Sequence, residues 1–100
     1  MQPLRERLQR EPPLLLLDVR SDAEWAICRL EGAQLVPLPE LEWRLKEIDS
    51  SREIVVYCHV GIRSARAVEL LLAHGYERVH NLTGGIDAWS REVDSKVPRY

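Results

Sequence analysis

Cys58-His59-Val60-Gly61-Ile62-Arg63, followed at once by Ser64, is the stretch whose residue types and spacing can do covalent chemistry. A thiol attacks as its thiolate, and a thiolate needs surroundings that favour negative charge. Gly61 permits a tight curl in which successive backbone N–H groups face one point, a nest for an anion. Arg63 closes the loop and supplies a fixed positive charge. The Ser64 hydroxyl can cap a following helix, donate to sulfur, or do both. Such a loop would stabilise a Cys58 thiolate and equally a persulfide made from it. The competing reading is an inert buried cysteine, the common state of a free one. Loop glycine, arginine and a following helix coincide here, which favours the functional reading.

The elements that must hold this loop are legible around it. Ile54-Val55-Val56-Tyr57 is a short apolar, β-branched run and reads as a buried central strand. Ser64 to His74 reads as a helix with Ala65, Val68, Leu71 and Leu72 on one face, Gly75 at the left-handed position past its end, and Tyr76 closing over it. Cys58 therefore sits at the carboxyl end of a strand and before a helix amino terminus, where open α/β sheets bind ligands and where the helix dipole favours anions.

Further strands are expected at Leu14 to Val19, at Gln34-Leu35-Val36 and at Arg78 to Leu82. Leu4 to Leu8 reads as a short helix stopped by Pro12-Pro13. Ser21 to Glu24 opens another, with Ser21 and Glu24 forming a capping box. Glu40 to Ile48 has helical spacing at Leu41, Leu45 and Ile48, and Gly84-Gly85 turns into a last helix from about Ile86 to Val93. Strands alternating with helices predict one α/β domain over residues 1–100, with a central, mainly parallel sheet of four to five strands and helices on both faces.

Composition narrows the partners. A net charge of −2 over 100 residues carries no nucleic-acid footprint. No stretch is long enough to span a membrane, and the opening Met1-Gln2-Pro3, without a basic stretch leading into an apolar core, predicts no signal peptide. Two cysteines, Cys28 and Cys58, do not make a disulfide framework, so a cytoplasmic protein with reduced thiols is expected. Three histidines and two cysteines without ligand spacing predict no metal site, and no cofactor is called for.

Other reactive residues have plainer readings. Asp18 and Arg20 lie at a strand's carboxyl end, at the mouth of the site, but read as a structural ion pair, with Glu24 as a further partner. Cys28 could resolve a Cys58 persulfide, yet reads as a small buried hydrophobe. His59 reads as a rim residue that modulates substrate, and His74 and His80 as a helix-end and a strand residue. Arg66 either adds positive potential for an anionic donor or is simply solvated. Trp25, Trp43 and Trp89 read as core or half-buried packing residues.

In order along the chain stand Leu17-Asp18-Val19-Arg20, Glu24-Trp25, Gly32-Ala33, Cys58-X-X-Gly61-X-Arg63-Ser64 and Leu82-Thr83-Gly84-Gly85-Ile86-Asp87-Ala88-Trp89. This ordered set resembles a rhodanese domain over nearly the whole chain. The resemblance implies a sulfurtransferase in which Cys58 takes a sulfane sulfur from a small anionic donor such as thiosulfate. His59, Val60, Gly61, Ile62, Arg63 and Ser64 would bind the donor, and a thiol, cyanide or a sulfur-carrier protein would accept the sulfur. A desulfurase protein is a further possible partner.

Loop length within the resembled family separates two chemistries. Six residues from cysteine to arginine, as here, suit sulfur transfer, and one more belongs to related phosphatases. The alternatives are a carrier module loaded by a partner and, less well matched, a phosphatase or arsenate reductase. Cys28-Arg29-Leu30 replaces the family's usual glycine-histidine-isoleucine step. That variant, with Asp87-Ala88-Trp89-Ser90 and the tail Val97 to Tyr100, is similar to rhodanese domains fused to ubiquitin-activating-like enzymes of molybdopterin and thiamine synthesis. The activating domain itself is absent from these residues, and the amino-terminal edge strand of many relatives is expected to be short or missing.

Overall fold

A computed structural model describes residues 14–30, 32–82 and 84–92. The sequence readings for Leu4 to Leu8, for an amino-terminal edge strand and for the tail lie outside these residues. The elements are β1 (Leu15–Asp18), α1 (Asp22–Ile27), β2 (Gln34–Leu35), two 3₁₀ turns (Leu38–Glu40 and Glu42–Glu47), β3 (Ile54–Tyr57), α2 (Ile62–Ala73), β4 (Val79–Asn81) and α3 (Gly85–Glu92). The strands form a four-stranded sheet in the order β2-β1-β3-β4, with every neighbouring pair parallel. Leu15 pairs with Ile54 and Asp18 with Tyr57 along β1 and β3, and Ile54 pairs with Val79 along β3 and β4.

The chain steps from β1 outward to β2, then crosses back to place β3 on the other side of β1. The carboxyl ends of β1 and β3 thus flank the point where strand order reverses, the usual ligand crevice of such a sheet. Alternation along the strands splits the core in two. Leu15, Leu17, Ile54 and Val56 pack with Ala67 and Leu71 of α2. Leu14, Leu16, Val55 and Tyr57 pack on the other face with Leu30 and with Ile86 and Trp89 of α3. Helices therefore cover both faces, and both faces of β3 are buried.

Local signals behave as their chemistry dictates at several ends. The capping box of α1 is complete, with Ser21 accepting from the Glu24 N–H and the Glu24 carboxylate accepting from the Ser21 N–H. Helix α2 ends in a Schellman pair: Gly75 N–H donates to Leu72 and Tyr76 N–H to Leu71, with Gly75 at φ +89° and Tyr76 buried.

Four expectations need correction. The Leu41–Leu45–Ile48 periodicity does not make an α-helix. Pro37 and Pro39 start a tight 3₁₀ turn, and Arg44 leaves helical geometry at φ −111°, ψ 15°, so two short turns form instead. On α2 the buried residues are Ser64, Ala67 and Leu71, with Val68 partly covered, while Ala65 and Leu72 face solvent. The helix starts two residues earlier than expected, at Ile62. Trp43 is 74% exposed, because the 3₁₀ segment turns it away from the core.

Candidate active site

Strand β3 delivers Cys58 to the sheet edge, where it is only 1% exposed. Gly61 adopts φ +107° as the residue before α2, a conformation that suits glycine. This curl turns the loop's donors inward. The Gly61 N–H lies 3.1 Å from Cys58 Sγ, the Ser64 N–H 3.4 Å, and the Arg63 N–H also bonds to the sulfur. The Ser64 hydroxyl, fully buried, sits 3.4 Å from Sγ. Burial pushes the Cys58 thiol up. The Ser64 hydroxyl and the N–H groups of Ser64, Gly61 and Arg63 pull it down, and the net direction is below the ordinary thiol value.

The predicted residues part company at their side chains. Cys58, Gly61, Arg63 and Ser64 converge on the sulfur, Arg63 through its backbone. The Arg63 guanidinium instead lies on the Glu24 carboxylate, with Nη1 to Oε1 at 2.5 Å and Nη2 to Oε2 at 2.9 Å. Its charge is thus shared with an opposite one rather than presented alone to the sulfur. Val60 and Ile62 point outward, 48% and 72% exposed, and give the loop an apolar rim. His59 is partly buried against the first turn of α3, with Nε2 3.9 Å from Asp87 Oδ1.

Three residues matter here that the sequence reading did not assign to the site. Glu24 both caps α1 and holds Arg63. Asn81, at the carboxyl end of β4, donates from Nδ2 to the Gly61 carbonyl at 3.2 Å and brings Oδ1 to 2.5 Å from Ser64 Oγ. Its place at the same sheet edge as Cys58 was the available signal. Gly85 is the third. The Ile86 N–H donates to the Cys58 carbonyl at 2.9 Å and the Asp87 N–H to the His59 carbonyl at 3.0 Å, so α3 is clipped to the loop backbone. A Cβ on Gly85 would fall 2.3 Å from the Cys58 oxygen and 2.5 Å from that of His59. The Gly84-Gly85 turn is what permits this approach.

Asp18 and Arg20 form a fully buried pair beside the site. Arg20 Nη2 is 2.7 Å from Asp18 Oδ2, and Nε lies 2.9 and 3.0 Å from the two carboxylate oxygens. Arg20 also donates to the Cys28 carbonyl and packs 5.6 Å from the Tyr57 ring centroid. Burial and the Asp18 charge push the Tyr57 hydroxyl well above its ordinary range. The Glu24 carboxylate lies on the Arg63 guanidinium. Cys28 is buried at the end of α1, its sulfur 3.9 Å from Arg20 Nη1. Among the described residues no group of three or more His, Cys, Asp or Glu could hold a metal, and no helix is long and apolar enough to cross a membrane.

Comparison with known proteins places this arrangement in a family. A sulfurtransferase from Allochromatium vinosum is 41% identical over 88 residues, covering 88% of this chain and 82% of that protein. The probable adenylyltransferase/sulfurtransferase MoeZ of Mycobacterium tuberculosis is 35% identical over 97% of this chain, which spans 25% of that longer protein. The crystal structure of a rhodanese-like domain protein from Staphylococcus aureus superposes with a TM-score of 0.85 at 29% identity, covering 99% of this chain and 93% of that one. The family model described as the rhodanese-like domain matches residues 1–92, and the chain belongs to that family.

Proposed function

We propose that the protein is a sulfurtransferase that carries a sulfane sulfur on Cys58. The observation that carries this reading is the cradle around one sulfur: backbone donors from Gly61, Arg63 and Ser64 with the Ser64 hydroxyl, in the six-residue loop from Cys58 to Arg63 and the residue after it. Donors fixed before the reaction stabilise anionic sulfur without rearrangement. In the first half-reaction the Cys58 thiolate attacks the outer sulfur of thiosulfate. The S–S bond of the donor breaks, its electron pair leaves with sulfite, and Cys58 becomes a persulfide anion. In the second, a nucleophilic acceptor, a thiol or cyanide, attacks the terminal sulfur, the S–S bond breaks and the Cys58 thiolate leaves with its electron pair. Two chemical halves through one covalent intermediate give ping-pong kinetics. The sulfurtransferase name of the Allochromatium relative supports the reaction class.

A second reading, a module loaded by a partner desulfurase, draws on the loop's outer surface. Glu24 offsets the Arg63 charge, and the rim residues Val60 and Ile62 are apolar. That rim suits a protein-borne persulfide better than a small dianion. The related phosphatase reading fits less well, since the loop from Cys58 to Arg63 has only six residues.

Intact-protein mass spectrometry after incubation with thiosulfate, without reductant, tests the assignment. One added sulfur on wild type but not on Cys58→Ser, removed by cyanide as thiocyanate, is the expected result. Equal sulfur on the Cys58→Ser variant would overturn it. No loading by thiosulfate but rapid loading by a cysteine desulfurase would select the carrier reading. Turnover of a phosphate ester instead would select the phosphatase.

A further inference from the structure

Ser64 has one hydroxyl proton and two acceptors for it. Its Oγ lies 2.5 Å from Asn81 Oδ1 and 3.4 Å from Cys58 Sγ. Which end of the Asn81 amide faces Ser64 is fixed by the other end: the Gly61 carbonyl can only accept, so the group 3.2 Å from it is the donating Nδ2. With Cys58 as a thiol the bonds run one way, S–H to Oγ and Oγ–H to Oδ1. A thiolate has no proton to give, and a charged acceptor draws a stronger hydrogen bond than a neutral one. The Ser64 proton must then leave Asn81 to reach the sulfur.

Resting on the sulfurtransferase reading, we propose that Asn81 is a positioning residue that holds the Ser64 hydroxyl proton in reserve and releases it to Cys58 Sγ as negative charge gathers there. Charge gathers on Sγ twice: when the thiol ionises to solvent, and when the persulfide is discharged. In discharge the acceptor attacks the terminal sulfur, the S–S bond breaks and its electron pair settles on Sγ. The Ser64 O–H turns toward it, and no proton changes owner. Asn81 thus opposes the thiolate and Ser64 supports it. The titratable and charged groups around the loop are Arg63 with Glu24, His59 with Asp87, and Asp18 with Arg20 behind it. Substituting Asn81 leaves all of them in place.

The test is a titration of thiolate absorbance near 240 nm, with Cys58→Ser as the blank that subtracts Cys28. Asn81→Ala frees the Ser64 proton, and the Cys58 midpoint should fall by about 0.5 pH unit or more, the scale of one redirected neutral hydrogen bond. Asn81→Asp sets a stronger acceptor in the same place and should raise the midpoint. Both variants lose the bond to Gly61, and the Asp carboxylate also raises the midpoint by its own charge, so the deciding comparison is the Asn81→Ala shift with and without Ser64. Ser64→Ala should raise the midpoint, and in that background Asn81→Ala should shift nothing. An equal shift from Asn81→Ala with and without Ser64, or shifts of one sign for both Asn81 variants, would overturn the proposal. The absorbance reads the proton on Cys58, not sulfur transfer, so a protein that takes no sulfur from thiosulfate still shows whether Asn81 acts through Ser64.

Discussion

The Glu24 carboxylate grips the Arg63 guanidinium through two contacts, at 2.5 and 2.9 Å, and joins helix α1 to the cysteine loop across 39 residues of chain. The arginine side chain is 38% exposed, so the pair adds little to stability, no more than ~1 kcal/mol. Its larger effect is on the site's field, since the loop's fixed cation is matched by an anion.

This pairing gives the first prediction. Arg63→Ala keeps the backbone N–H that touches Cys58 but leaves the Glu24 carboxylate uncompensated at the mouth of an anion site. Thiosulfate loading should fall about tenfold or more, through the donor's half-saturating concentration, an effect of roughly 1.4 kcal/mol on binding. Removing both charges in Glu24→Ala/Arg63→Ala should restore part of the loss. Loading rates against thiosulfate concentration check this. A double variant as poor as Arg63→Ala would show that Glu24 repulsion is not the cause.

Much of this arrangement was legible in the chain, and the rest was hidden for identifiable reasons. The buried strand Leu14 to Val19, the apolar run Ile54 to Tyr57 and the Ser21–Glu24 box are local patterns, and the structure realises each at its site. The Cys58 loop was legible because glycine and arginine spacing is itself a geometric statement. Asn81 carried only a positional signal, its place at the carboxyl end of a strand; its contacts with Ser64 and Gly61 follow only once parallel pairing sets β4 beside β3. Glu24 was legible as a cap, but a second partner 39 residues away is a tertiary fact. The segment Leu38 to Glu47 misled because Leu41, Leu45 and Ile48 do bury or half-bury as a helix would, while the prolines and Arg44 impose tighter turns.

The second prediction concerns Arg20, which is fully buried with Asp18 and donates to the Cys28 carbonyl. Removing one partner of such a pair strands a charge in a low-dielectric interior and costs about 3–5 kcal/mol. Arg20→Ala should therefore lower the denaturant midpoint sharply or prevent folding. Chemical denaturation followed by tryptophan fluorescence measures it. A loss below ~1 kcal/mol would mean that water reaches the Asp18 carboxylate.

The third prediction rests on Gly85, at φ +60° with the Cys58 and His59 carbonyl oxygens inside contact distance of any added Cβ. Gly75 is the control: φ +89°, with open space where its Cβ would be. Gly75→Ala should cost only the left-handed penalty, ~1–2 kcal/mol, without changing sulfur loading. Gly85→Ala should cost more and should also slow loading, because the backbone that must give way is that of the nucleophile itself. Equal destabilisation of the two variants, with loading intact in both, would show that α3 does not set the loop.

The fourth prediction follows from the direction of the Cys58 shift. Burial opposes ionisation, but the Ser64 hydroxyl and the loop N–H groups outweigh it and hold the folded-state value below the ordinary 9.0. Thiosulfate loading should therefore rise with pH and level off before an unperturbed thiol would have ionised. Stability is linked to the same difference. A depressed folded value means the unfolded chain binds more protons between the two values, so stability rises with pH across that window. The contribution is complete above the unfolded value and is lost as pH falls through the folded one. Cys58→Ser lacks this group, so the Tm of wild type relative to the variant, measured with reductant present, should increase as pH approaches 9. A difference that stays flat from pH 6 to 9.5 would mean that the loop does not favour the thiolate, and the reactive-cysteine assignment would lose its electrostatic basis.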